Sequence, residues 1–133
     1  MRSIVIGYDG SESAGRALER AAELADDGAA VTVVSSTHAL AGKGGFAYDP
    51  AEKEAHREHL LEARARLEAH GVEPAVVEGF GDPAEAIVRQ AAESDADLIV
   101  VGNEHRNLIE RLLEGSVSSG VTHRAECDVL VVR

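Results

Sequence analysis

The chain has no tryptophan, one cysteine, three prolines, two tyrosines and two phenylalanines among 133 residues. A core without bulky aromatics must be filled by aliphatic layers. The 44% of hydrophobic residues, mostly Ala, Val and Leu, suits a parallel sheet covered by helices. A single cysteine, Cys127, excludes an internal disulfide; with Glu126 and Asp128 beside it, it reads as a small buried hydrophobe rather than a reactive thiol. No apolar run approaches the length of a membrane span. The first, residues 4–6, is broken at once by Gly7, unlike the core of a signal peptide. These features predict a soluble cytoplasmic protein.

Positive charge is also scarce. The formal net charge is -11, and Lys43 and Lys53 are the only lysines among thirteen basic residues. That balance argues against nucleic acid and anionic membranes as partners, since both require clustered cations to displace counterions. Acidity with Arg favoured over Lys fits either a salt-rich cytoplasm or a GC-rich genome. Two common phosphate motifs are missing: Lys43 is followed by Gly44 rather than completing G-x-x-x-x-G-K-[ST], and no G-x-G-x-x-G follows a strand. The length corresponds to one domain, residues 1–133.

Residues 3–8 read as a short β-branched strand ending at the turn pair Asp9-Gly10, after which Ser11 offers a helix N-cap. The following helix carries an apolar stripe of Ala14, Ala17, Leu18, Ala21, Leu24 and Ala25. Residues 30–36 form a second strand, joined to the first by a right-handed βαβ crossover. The Gly-rich stretch 38–50 is either a flexible connector over the mouth of a site or a contact segment using Lys43. A charged helix at 51–70 follows, with a thin stripe of Ala55, Leu60, Ala63 and Leu67. On it His56 and His59 are either a metal-binding pair or an exposed face. A third strand spans 73–80, and Asp82-Pro83-Ala84-Glu85 is a helix start with Asp82 as cap and Pro83 at the first position. Ile87, Val88 and Ala91 supply its buried stripe.

The last third, DLIVVGNEHRNLIERLLEGSVSSGVTHRAECDVLVVR, is the stretch that reads as chemistry. Residues 98–101 are an unbroken aliphatic run, the pattern of a strand buried on both faces, and it ends at Gly102. A glycine there lets backbone N–H groups approach a ligand. Gly115-Ser116 repeats the device with a hydroxyl that can either donate to an oxyanion or cap a last helix, which Gly120 weakens by roughly 1 kcal/mol relative to Ala. Leu108, Ile109, Leu112 and Leu113 make the spacer a short helix or turn, and 129–132 closes the chain's strands. The alternation of strands and helices predicts an α/β fold: a single doubly wound, Rossmann-like parallel sheet of five strands in the order 3-2-1-4-5, with helices on both faces. Strands one and four then part at a topological switch point, bringing Asp9 and Gly102 to one crevice. Asp9 is either a turn aspartate or a ligand for a sugar hydroxyl or a phosphate-bound Mg²⁺, since direct contact with phosphate would be repulsive.

The last segment resembles the C-terminal signature of the universal stress protein family: an aliphatic strand, G-x-x-G, nine residues, then G-[ST]. Gly102, Gly115 and Ser116 fall on it, and His105 occupies the second glycine position. The resemblance extends through IVIGYDGSESAGRALERAAELA and GDPAEAIVRQAAESDADLIVVG, nearly the whole chain. It implies an adenine nucleotide, ATP or AMP, with or without Mg. Gly7 and Asp9 would lie near base and ribose, and Ser36 would give a backbone contact to adenine. Val101 and Gly102 would form the floor, and Gly115, Ser116 and Val117 would grip the phosphates. His105 either costs about 1 kcal/mol, if its position demands φ > 0, or supplies, with Arg106, charge that a glycine lacks. The resemblance also implies a homodimer through Val129, Leu130, Val131 and Val132, an edge that must be covered.

The expected function is thus a stress-response regulatory module binding an adenine nucleotide. The alternative is a dimeric interaction protein that has lost nucleotide affinity because of His105. No activated nucleophile or carboxylate pair is visible, so any ATP hydrolysis would be slow and incidental.

Overall fold

The computed structural model describes residues 1–37, 40–42, 45–47, 50–118 and 120–133. In chain order its elements are β1 (Ser3–Gly7), α1 (Glu12–Leu24), β2 (Ala30–Thr37), β3 (Leu40–Gly42), β4 (Gly45–Ala47), α2 (Pro50–Ala69), β5 (Ala75–Phe80), α3 (Pro83–Glu93), β6 (Leu98–Gly102), α4 (Arg106–Glu114), β7 (Ser116–Ser118), β8 (Val121–His123) and β9 (Asp128–Val132). The main sheet has the order β5-β2-β1-β6-β9, every pairing parallel. In terms of its own five strands this is the predicted 3-2-1-4-5.

The alternation of side chains along the strands explains why both faces are covered. Ile4 and Ile6 of β1, Val31 and Val33 of β2, and Leu98 and Val100 of β6 point to one side. There they bury against Ala14, Ala17, Leu18 and Ala21 of α1 and Leu60, Ala63 and Leu67 of α2. Val5, Val34, Ile99 and Val101 point to the other side, against Ala84, Ile87 and Ala91 of α3 and Leu112 of α4. A fully buried Val, Leu or Ile contributes about 1.5–3 kcal/mol of hydrophobic stabilisation. A sheet with two such faces therefore needs no aromatic core. The helix starts are capped as the sequence predicts: Ser11 Oγ accepts from the Ala14 N–H at 3.2 Å, and Asp82 Oδ2 accepts from the Glu85 N–H at 3.2 Å, with Pro83 opening α3.

Two segments differ from expectation. Within 38–50, β3 and β4 pair antiparallel, Leu40 with Ala47 and Gly42 with Gly45, where a connector was expected; Lys43 lies outside the described residues. The helix expected after Ser116 is instead an antiparallel pair, β7 with β8, matching Val117 to Thr122 and Ser118 to Val121. Gly115 and Gly120 take φ of 101° and 77°, which interrupts helical geometry on both sides of Ser116–Ser118. The β-branched Val117, Val121 and Thr122 favour extended backbone. Ser116 is therefore a strand residue and caps no helix.

Candidate functional site

At the carboxyl ends of β1 and β6 the chain turns to opposite faces of the sheet, α1 packing on one and α4 on the other. A cavity of about 900 Å³ opens there. Gly7, Tyr8, Asp9 and Ser11 line it from the first βα turn, and Val101 through Leu108 from the second. Asp82, Pro83, Ile87 and Arg111 close one side, and Ala55, His56 and His59 of α2 the other. Its volume lies within the range of small-molecule and cofactor sites.

The Asp9 turn is built locally. Gly10, at φ 83°, lets the chain reverse, and Asp9 Oδ1 accepts from the Ser11 N–H at 2.9 Å. The other carboxylate oxygen, Oδ2, meets His105 Nε2, a contact that becomes an ion pair when the imidazole is protonated. Burial pushes the Asp9 carboxyl up, but the hydrogen bonds from Ser11 and the charge of His105 outweigh it and hold the group below its ordinary value. His105 stands just before α4 with φ -112° and ψ 87°, so the position imposes no left-handed strain on a non-glycine residue. Its side chain is 61% exposed and reaches across the mouth rather than filling the hollow.

Gly102 serves a different purpose from the one its position suggests. A Cβ there would lie 2.6 Å from the Ala14 nitrogen and 2.7 Å from the Ser13 carbonyl carbon. The space on that side is taken by the first turn of α1, so the missing Cβ makes room for that helix. Gly7 is likewise a packing position, its absent Cβ replaced by Ile87 Cδ1 at 2.7 Å and Val101 Cγ1 at 3.2 Å.

Of the predicted site residues, Gly7, Asp9, Val101, Gly102, His105 and Arg106 come together on the cavity wall. Ser36 stands near the carboxyl end of β2, paired with Gly79, and its side chain lies outside the described set. Gly115 and Val117 are not among the lining residues. The nine residues of α4 carry the chain about 13 Å from His105 before Gly115 is reached, and Gly115 packs on Thr122 and His123. Ser116 follows Gly115 as the first residue of β7.

Sequence reasoning missed the contributions of Tyr8, His56, His59, Asp82 and Arg111. Tyr8 is buried, its hydroxyl donates to Glu62 Oε1 at 2.8 Å, and burial followed by that carboxylate pushes its pKa up to about 12. His56 and His59 are half-buried rather than on an exposed face. His56 Nδ1 lies 2.5 Å from the Ser35 hydroxyl, and the ring of His59 meets Tyr8 edge-on at 6.1 Å. Among the described residues no cluster of three metal-ligating side chains occurs. Arg111 pairs with Asp82, tying α4 to the start of α3. Both histidines were detectable in the sequence, because the buried series Leu60, Ala63, Leu67 extends one turn back onto them at helical spacing.

A doubly wound parallel sheet with a lined crevice at its switch point defines a Rossmann-like α/β protein. The chain belongs to the Universal stress protein family, whose profile it matches over residues 1–133. It is 35% identical to universal stress protein Rv1636 of Mycobacterium tuberculosis strain H37Rv, over 98% of this chain and 95% of that one. The structure of the Archaeoglobus fulgidus universal stress protein in complex with dAMP superposes with a TM-score of 0.79 at 26% identity, covering 100% of this chain and 98% of that one. A universal stress protein in complex with cAMP is similar at a TM-score of 0.70 and 30% identity, covering 99% and 97%.

Proposed function

We propose that the chain is a stress-response regulatory module that binds an adenine nucleotide, AMP or ATP, in the cavity between β1 and β6. The observation that carries this reading is the convergence of Gly7, Asp9, Val101 and Gly102 on one cavity of about 900 Å³ at the switch point. Relatives of the same fold solved with dAMP and cAMP support it. Asp9 would take a sugar hydroxyl, the Ser36 backbone the base, and Val101 and Gly102 the floor. Phosphates would lie toward the first turn of α4, where Arg106 and the N-terminal amides supply positive potential. That assignment takes the place of a grip by Gly115, Ser116 and Val117. A Mg²⁺ would arrive with the nucleotide, held by phosphate oxygens and Asp9. Calorimetric titration with AMP and ATP, with and without Mg²⁺ and at low and high salt, should give saturable binding. No heat and no retention at millimolar nucleotide would overturn the reading.

A second reading follows from the ion pair between His105 and Asp9, which occupies the carboxylate the nucleotide would use. On this view the domain is a dimeric interaction protein without a nucleotide. In either case we propose that β9, an edge strand of the sheet, pairs with its copy through Val129, Leu130, Val131 and Val132. Light scattering on the purified chain, with and without a proline at Leu130, separates dimer from monomer. Binding that exists only in His105→Gly would favour the second reading.

A further inference from the structure

Charge is nearly balanced on the cavity wall. Three lining side chains are acids, Asp9, Asp82 and Glu104, and two are arginines, Arg106 and Arg111. Arg111 is committed to Asp82, and Asp9 is met by His105, so any charge on that imidazole is matched where it stands. His56 and His59 belong to the opposite wall, on α2. What is left at the start of α4 is Glu104 and Arg106, both exposed, and neither ion-paired among the described residues. The mouth thus offers one uncommitted cation beside one uncommitted anion. Gly115 and Val117 lie outside the lining, so their turn brings no further amides to a longer phosphate chain. The whole chain, at a formal net charge of -11, sets a negative field against any polyanion that approaches.

We infer that the cavity selects a nucleoside with a single phosphate group and discriminates against the di- and triphosphate. This rests on the adenine-nucleotide reading above and narrows it from AMP or ATP to AMP. Arg106 is the cation for that one phosphate, which carries about -1.5 to -2 charges at neutral pH. Each further phosphate adds negative charge at a mouth that holds Glu104, with no second uncommitted arginine to receive it. Arg111 could turn to it only by leaving Asp82, a carboxylate 16% exposed that would then stand unpaired. Like charges brought together on binding cost affinity and serve to reject the wrong partner. Glu104 is therefore a specificity-determining residue that acts through its charge and need not touch the ligand.

The experiment is a ligand-by-residue cycle read by calorimetry at pH 8.5, above the range in which free imidazole gains a proton. Adenosine, AMP, ADP and ATP are titrated into the wild-type chain, Glu104→Lys and Arg106→Met, after circular dichroism has established that each variant is folded. Each titration is run with EDTA or with excess Mg²⁺, and at about 0.1 and 1 M salt, between which the Debye length falls from about 10 to 3 Å. Without Mg²⁺ at the lower salt, wild type should bind AMP roughly tenfold more tightly than ATP, with ADP between them. Mg²⁺, high salt and Glu104→Lys should each narrow that gap, the last by raising ATP affinity roughly tenfold while AMP gains less. Arg106→Met should bring AMP down to the affinity of adenosine. ATP binding as tightly as AMP to Mg²⁺-free wild type would overturn the inference. So would a gap that Mg²⁺, salt and Glu104→Lys all leave unchanged, since the exclusion would then be steric. Nucleotide binding survives both of those outcomes. Absence of binding by all four ligands would remove the nucleotide reading and this selectivity with it.

Discussion

His105 Nε2 and Asp9 Oδ2 meet across the mouth of the cavity, an ion pair when the imidazole is protonated, and tie the loop after β6 to the turn after β1. The pair is partly exposed, at 61% and 35%, and such pairs are worth at most about 1 kcal/mol. A ligand that uses Asp9 must displace His105 and meet that cost. His105→Gly should therefore raise affinity for AMP by up to about fivefold, read by calorimetry, with little effect on stability because glycine is tolerated before a helix.

The same pair sets an acid dependence. Asp9 is depressed below 3.8 in the folded chain, by hydrogen bonds from Ser11 and the charge of His105 acting against burial. A carboxyl with a lowered folded pKa stabilises the fold above its unfolded value, and that contribution is lost as pH falls through the folded value. The window thus lies below 3.8. Carboxylate NMR titration should give an Asp9 midpoint under 3.8 in wild type. In His105→Ala the midpoint should be higher, and acid unfolding should begin at higher pH.

Much of the architecture was legible because it rests on local pattern. Ile4 to Ile6 and Leu98 to Val101 are aliphatic runs between turn signals, and Ser11 and Asp82 are caps with their partners three residues away. The site was legible only where a residue's own neighbourhood determined its place, as for Asp9 in its turn. Gly102 was marked, but one reason for a glycine there was not legible: its missing Cβ makes room for Ser13 and Ala14, residues far earlier in the chain that only the fold brings near. Arg111 reaches the cavity through packing of α4, which no short motif announces. The expected helix after Ser116 failed because Gly120, taken as a weak point within it, supplies the turn of a hairpin.

Gly102→Ala tests that explanation. Its new methyl group would meet backbone atoms of α1, which cannot rotate away, so the helix start must shift. Overpacking of this kind costs about 1–3 kcal/mol. Gly28→Ala makes a useful comparison, since its Cβ would meet nothing within 4 Å and only the φ of 81° opposes it, at roughly 1 kcal/mol. Urea unfolding should rank Gly102→Ala as the more destabilised, and nucleotide affinity should fall with it because Asp9 and Ser11 move with α1.

Tyr8 predicts the alkaline limb. Burial, then the hydrogen bond to Glu62 and its charge, raises the phenol from 10.0 to about 12. A group whose folded pKa is raised contributes stability that is fully present below the unfolded value and lost as pH rises through the folded one. Stability should therefore decline between pH 10 and 12. Tyr8→Phe removes the donor to Glu62, costing about 1 kcal/mol at neutral pH, and should flatten that decline. Chemical denaturation at pH 8, 10 and 11 measures both effects.

Asp82 joins two roles that substitution can separate. One carboxylate oxygen caps α3 by accepting from the Glu85 N–H, and the other pairs with Arg111 of α4, which lines the cavity. Asparagine keeps a side-chain oxygen for the cap but carries no charge, so Asp82→Asn should lose only the ion pair, about 0.5–1 kcal/mol given that Arg111 is 43% exposed. Alanine removes cap and pair together, and Asp82→Ala should cost about 2 kcal/mol, near the sum of the two. If urea unfolding gave the same loss for both variants, the pairing with Arg111 rather than the cap would account for the effect. The contact between α3 and α4 would then be held chiefly by charge. The larger loss in Asp82→Ala is expected because Pro83 at the helix start removes one amide but leaves the Glu85 N–H dependent on Asp82.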